Sequence, residues 1–75
     1  MKSPSRLPLK SWREVVKAVE KVGFHLARQR GSLMVLRRDG KLLVVPRHEE
    51  NDRGTLSAII VQAGLTKEEF LKLLD

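Results

Sequence analysis

The chain has 75 residues, with 15 Lys and Arg against 9 Asp and Glu, a formal net charge of +6 and no cysteine. That length allows one small domain with a single core, and the lack of cysteine excludes a disulfide framework or a thiolate metal centre. No apolar run approaches the ~20 residues that cross a bilayer, and Met1 to Lys10 lacks a signal peptide's apolar centre, so a cytoplasmic protein without a membrane partner is expected.

Residues 1–10, with Pro4 and Pro8, read as a poorly ordered lead-in to a single domain over 11–75. Ser11 followed by Glu14 is a capping box, in which each side chain satisfies a backbone N–H at a helix start. Behind it Trp12, Val15, Val16, Val19 and Val22 recur at helical spacing and form one apolar stripe. Gly23 is expected to end this helix, with Phe24 packing back on Val19.

From Phe24 the period changes to two. Phe24 to Arg30 reads as a strand, Gly31-Ser32 as a turn and Leu33 to Arg38 as a second strand. Asp39-Gly40 has the chemistry of a type I′ hairpin, and Lys41 to Val45 reads as a third strand closed by Pro46. An acidic loop, His48 to Asp52, leads to a helix that Gly54-Thr55 opens, with Thr55 as its cap and Leu56, Ile59, Ile60 and Ala63 on one face. Gly64 ends that helix, Leu65 packs back on Ile60, and Thr66 with Glu69 caps a short last helix carrying Phe70, Leu71 and Leu74.

The order predicts a two-layer α+β sandwich, with helices on one face of a three-stranded meander and water on the other. Alternation then points Phe24, Leu26, Met34 and Leu36 at the helices, and His25, Leu33, Val35 and Arg37 away from them. Leu42 to Val45 is apolar on both faces, so its outer face is expected to contact something, such as a second copy of the chain, or to lie under the acidic loop.

The positive charge is concentrated. Arg28, Arg30, Arg37, Arg38, Lys41 and Arg47 face the single acid Asp39 in the middle of the chain, whereas Lys67 and Lys72 are outnumbered by Glu68, Glu69 and Asp75. A polyanion is the partner such a segment suits, most often nucleic acid and less often an anionic membrane or an acidic protein, with these six cations and Ser32 as candidate contacts. With no Tyr, and with Trp12, Phe24 and Phe70 all at core positions, recognition by backbone and shape is favoured over base stacking. Glu49, Glu50 and Asp52 lack the spacing of a cation loop, and the serines lack a nucleophile motif, so no metal, cofactor or covalent catalysis is expected.

Gly23-Phe24, Gly31-Ser32, Val45-Pro46-Arg47-His48, Gly54-Thr55-Leu56, Ala63-Gly64-Leu65 and Glu68-Glu69-Phe70 follow one another at compatible spacing. The ordered set, from about Leu9 to the end, resembles the HicA toxins, the RNA-cleaving halves of HicA–HicB toxin–antitoxin pairs. The resemblance implies a double-stranded-RNA-binding-domain-like fold of order α-β-β-β-α, an mRNA endoribonuclease activity and a HicB-type antitoxin as partner.

The family's catalytic histidine follows Gly-Ser, and that position is Leu33 here. Cleavage through the 2′-hydroxyl needs a group that exchanges protons near neutral pH, which an imidazole does and a leucine does not. In an antiparallel meander the end of the third strand lies beside the start of the second, so His48 is placed near Leu33 as a possible substitute. The alternatives for His48 are chemistry or a ring that bonds the backbone at the Pro46 turn; for the whole chain they are an active ribonuclease or a catalytically silent module that binds RNA or a partner.

Overall fold

The computed structural model describes residues 10–74. Element order is α1 (Trp12–Glu20), β1 (His25–Arg30), β2 (Leu33–Arg38), β3 (Lys41–Pro46), α2 (Arg53–Ala63) and α3 (Lys67–Leu73). The strands form one antiparallel sheet in the order β1-β2-β3, with the helices on one face, so the architecture is the expected α+β sandwich. The expected lead-in lies outside the described residues except for Lys10, which is held in an antiparallel bridge with Asn51.

Both capping boxes form. Ser11 Oγ accepts from the Glu14 N–H while Glu14 accepts from the Ser11 N–H, and Thr66 and Glu69 repeat the exchange at α3. At the far end of α1, Gly23 adopts φ 100° and the Phe24 N–H reaches the Val19 carbonyl, 3.2 Å away. A Cβ at Gly23 would also lie 2.9 Å from Arg38 Cδ, so both backbone angle and space require glycine there. Gly64, at φ 74°, ends α2 in the same manner, and the Leu65 N–H donates to the Ile60 carbonyl.

Helix α2 departs from expectation at its start. Its cap is Asp52, not Thr55: the Asp52 backbone is extended and Oδ1 accepts from the Thr55 N–H at 2.9 Å. A carboxylate at the positive end of a helix is a stronger acceptor than a hydroxyl, so the helix begins two residues before Thr55, at Arg53.

The core is built from Val15, Ala18 and Val19 of α1, Met34 and Leu36 of β2, Leu43 and Val45 of β3, Leu56, Ile59, Ile60 and Ala63 of α2, with Phe24 and Phe70. Both longer helices pack over β3. Gln62 Oε1 of α2 additionally accepts the Val44 N–H at 3.0 Å, which occupies the outer edge of β3 with a side chain. Trp12 is only half-buried, at the rim rather than in the interior.

Several expectations about the strands and the loop after them are corrected. β1 starts at His25, and Leu26, expected in the core, is 46% exposed. Leu26 pairs with the buried Leu36 and so lies on the helix side, but the helices rest over β3 and leave the whole of β1 exposed. A register shift between Leu26 and Arg28 leaves Ala27 without a partner, so the strict alternation read from the sequence is broken there. In the β2–β3 turn only Asp39 has the left-handed φ, 55°, whereas type I′ needs it at both central residues. Lastly, the acidic loop does not cover the outer face of β3 but turns toward α1, leaving Leu42 56% exposed.

The burial pattern separates neighbours in sequence. Leu43→Ala should cost about 2–5 kcal/mol of unfolding free energy in a urea titration, and Leu42→Ala should change it by less than about 0.5 kcal/mol.

Candidate functional site

Register assembles the outer face of the sheet row by row. Arg30, Leu33 and Pro46 form one row, Arg28, Val35 and Val44 the next, and His25, Arg37 and Leu42 the third. The result is an apolar centre bordered by three arginines on the side away from the helices. Ala27, Arg28, Val35, Arg37, Gly40 and Leu42 line an open depression of about 460 Å³ on it. Leu33, 41% exposed, stands at the end of this face where β2 begins.

Of the seven candidate contacts, Arg28, Arg30 and Arg37 share this face, and Ser32 lies exposed in the turn beside it. Arg38 and Lys41 do not. They pair with each other at the hairpin, one position beyond Arg37, and therefore lie on the helix side. Arg38 Nη1 donates to the Val22 carbonyl at 2.6 Å and its guanidinium sits 5.0 Å from the Phe24 ring, tying β2 to the exit of α1. Lys41 Nζ would lie 2.8 Å from a Cβ at Gly64, which places its charge at the negative end of α2, a last turn with no basic residue of its own.

Arg47 and His48 occupy the Leu33 end of the sheet. The Arg47 N–H donates to the Ser32 carbonyl at 2.7 Å, one step past the Leu33–Pro46 pair, so the end of β3 does lie beside the start of β2. Arg47 places its guanidinium 5.0 Å from the Trp12 ring, and Arg13 lies 4.8 Å from the same ring. Arg13 in turn holds Glu49 at 3.2 Å.

His48 is fixed by its backbone. Its N–H donates to the Pro46 carbonyl at 2.8 Å and its carbonyl accepts from the Trp12 N–H at 3.0 Å. The ring is exposed and makes no hydrogen bond among the described residues. Thus the turn after Pro46 is held by main chain and by Asn51, whose Nδ2 donates to the Pro46 carbonyl at 3.4 Å. His25, also exposed, lies in the third row from this end, opposite Arg37.

Two residues escaped the sequence reading. Trp12 sits at the first position of α1, and its stripe spacing signalled core when the ring is in fact a platform for two guanidiniums. Asn51 is 1% exposed inside a loop that composition marks as solvated, and nothing in its neighbours' polarity signals that burial.

The acids of the loop have structural partners. The Thr55 N–H, with a smaller contribution from the His48 charge, holds the Asp52 carboxyl below its ordinary value of 3.8. The Ser11 N–H, helped by Lys10, likewise lowers Glu14 from 4.5. Among the described residues no group of three His, Asp or Glu side chains is placed to hold a metal ion.

A carboxyl whose folded pKa is depressed stabilises the fold above its unfolded pKa, and the contribution disappears as pH falls through the folded value. Asp52→Asn keeps a competent cap without the titration. Its melting temperature should therefore fall less than the parent's when pH is lowered from about 5 to about 2.5, measured by circular dichroism.

No curated protein matches the chain significantly. The family described as the HicA toxin of bacterial toxin–antitoxin systems matches over residues 12–65, from the first residue of α1 to the Leu65 that folds back after α2. No helix among the described residues is long and apolar enough to cross a membrane. With most of its length matched and the helix, meander, helix order in place, the chain belongs to the HicA toxin family, whose members are parts of toxin–antitoxin pairs.

Proposed function

We propose that this protein binds RNA on the outer face of its sheet, and that its antitoxin is of the HicB type and masks the same face. The observation that carries the reading is the convergence of Arg28, Arg30 and Arg37 around an exposed apolar centre in a member of this family. Each arginine can neutralise a phosphate and release its counterions, which supplies affinity without reading sequence. Phe24 and Phe70 are buried and the Trp12 ring is flanked by arginines, so few aromatic faces are left for bases. Recognition of RNA by backbone and shape fits this surface best.

The same face suits a protein partner. Arginine bordering a partly exposed apolar centre is the composition of a protein interface, and the chain's net charge of +6 favours an acidic partner. Leu33 supports a second reading, a member that binds RNA and antitoxin without cutting, because the side chain at the family's catalytic position transfers no proton.

Titration of a labelled hairpin RNA at several salt concentrations tests the binding. Affinity should fall steeply with salt, and replacing Arg28, Arg30 and Arg37 by glutamine should each reduce the log–log slope by about one. The Arg38→Gln slope should match the parent's. An affinity indifferent to salt removes the arginine face from the mechanism.

A further inference from the structure

RNA cleavage through the 2′-hydroxyl requires a proton acceptor beside the scissile phosphate. Glu50 is exposed in the loop two residues past His48, but a carboxylate is a weaker base than an imidazole near neutral pH, and the other acceptors near that end of the sheet are held by partners. Glu49 is paired with Arg13, and Asp52 is committed to the Thr55 N–H. Asp39 lies in the β2–β3 turn and His25 pairs with Arg37, both toward the opposite end of the sheet from Leu33. Glu14 is bound to Ser11 and Lys10. His48 is at the right end, with an exposed ring that makes no hydrogen bond among the described residues.

Its surroundings are ordered in a way that an ordinary loop histidine does not need. The peptide groups on both sides of the His48 Cα are bonded, one to Pro46 and one to the first residue of α1, so the side chain projects from an anchored point. The residue before it, Arg47, is bonded through its backbone to Ser32, and its guanidinium rests near the Trp12 ring with no acid paired to it among the described residues. Cation–π contact leaves the N–H donors at the guanidinium edge available. Ser32, Leu33, Arg47 and His48 thus gather a cation, a hydroxyl and an imidazole at one corner, and Arg30 continues the line of charge from the outer face.

We infer that His48 is the catalytic proton acceptor of this protein, with Arg47 binding the scissile phosphate and Trp12 positioning Arg47. This deepens the RNA-binding reading and rests on it. In the step, neutral His48 takes the proton of the 2′-hydroxyl as its oxygen bonds to phosphorus. The P–O5′ bond breaks, and the leaving oxygen takes a proton from solvent. The products are a 2′,3′-cyclic phosphate and a free 5′-hydroxyl, and no cofactor or redox partner is required. A stationary anchor matters because the acceptor must lie within hydrogen-bond reach of the attacking hydroxyl.

The test compares the parent, His48→Gln and Leu33→His on one fluorescent hairpin RNA and on DNA of the same sequence. Cleavage rate, product ends and binding are read separately, and circular dichroism verifies folding. The parent should cut RNA but not DNA and leave 2′,3′-cyclic phosphate ends. His48→Gln should bind RNA as the parent does but cut it about 10²–10⁴-fold more slowly. Equal cleavage by parent and His48→Gln overturns the inference, as does a parent that binds without cutting while Leu33→His cuts. Failure of every variant to bind RNA overturns the reading beneath it instead.

Discussion

Strand β3 bears both longer helices, and the layout of the molecule follows from that one packing choice. Leu43 and Val45 present the apolar side of β3 to α1 and α2, and Met34 and Leu36 extend it across β2. A domain of this size buries only about 60% of its unfolded surface, so two helices centred on β3 have no third layer to add over β1. β1 is therefore exposed along its whole length and carries arginines where a covered strand would carry valine or leucine. The charged surface is the complement of the core.

The same packing fixes what happens where β3 ends. α1 starts directly over that end, and its first turn secures the departing chain at three successive residues, Arg47 by the Trp12 ring, His48 by the Trp12 N–H and Glu49 by Arg13, while Lys10, just before the helix, holds Asn51. Exposed ion pairs are individually weak, and the Arg13–Glu49 pair is exposed. The backbone bonds and the burial of Asn51 give the loop its fixed path. A loop that composition would class as solvated is thereby a structural joint, and the motif histidine is part of it.

Much of the fold was legible because local chemistry and tertiary packing agree. The capping boxes at Ser11 and Thr66 and the stripe Leu56, Ile59, Ile60 and Ala63 need only neighbouring residues to be understood, and each formed as expected. Leu26 was misjudged because alternation states which side a residue takes, not whether a helix lies above it. Asp52 was overlooked because Gly54-Thr55 offered a competing start, and choosing between them depends on where the loop turns. At the site, parity correctly placed Leu33 and Arg37 outside. It also explains why the adjacent Arg37 and Arg38 part company, a division hidden by reading the cations as one cluster. The Trp12 platform was illegible because Arg47 reaches it across the fold, 35 positions along the chain from Trp12.

The Gln62 to Val44 hydrogen bond bears on how copies of this protein meet one another. Growth of a ribbon by strand pairing needs two open edges on every molecule, one to receive and one to offer. Here a glutamine from α2 occupies the β3 edge, while β1 keeps an open edge interrupted at Ala27 and lined with arginines that repel their like. Each edge thus carries a feature that opposes strand pairing between copies: a side chain already bonded to Val44 on one, and a break at Ala27 with flanking arginines on the other.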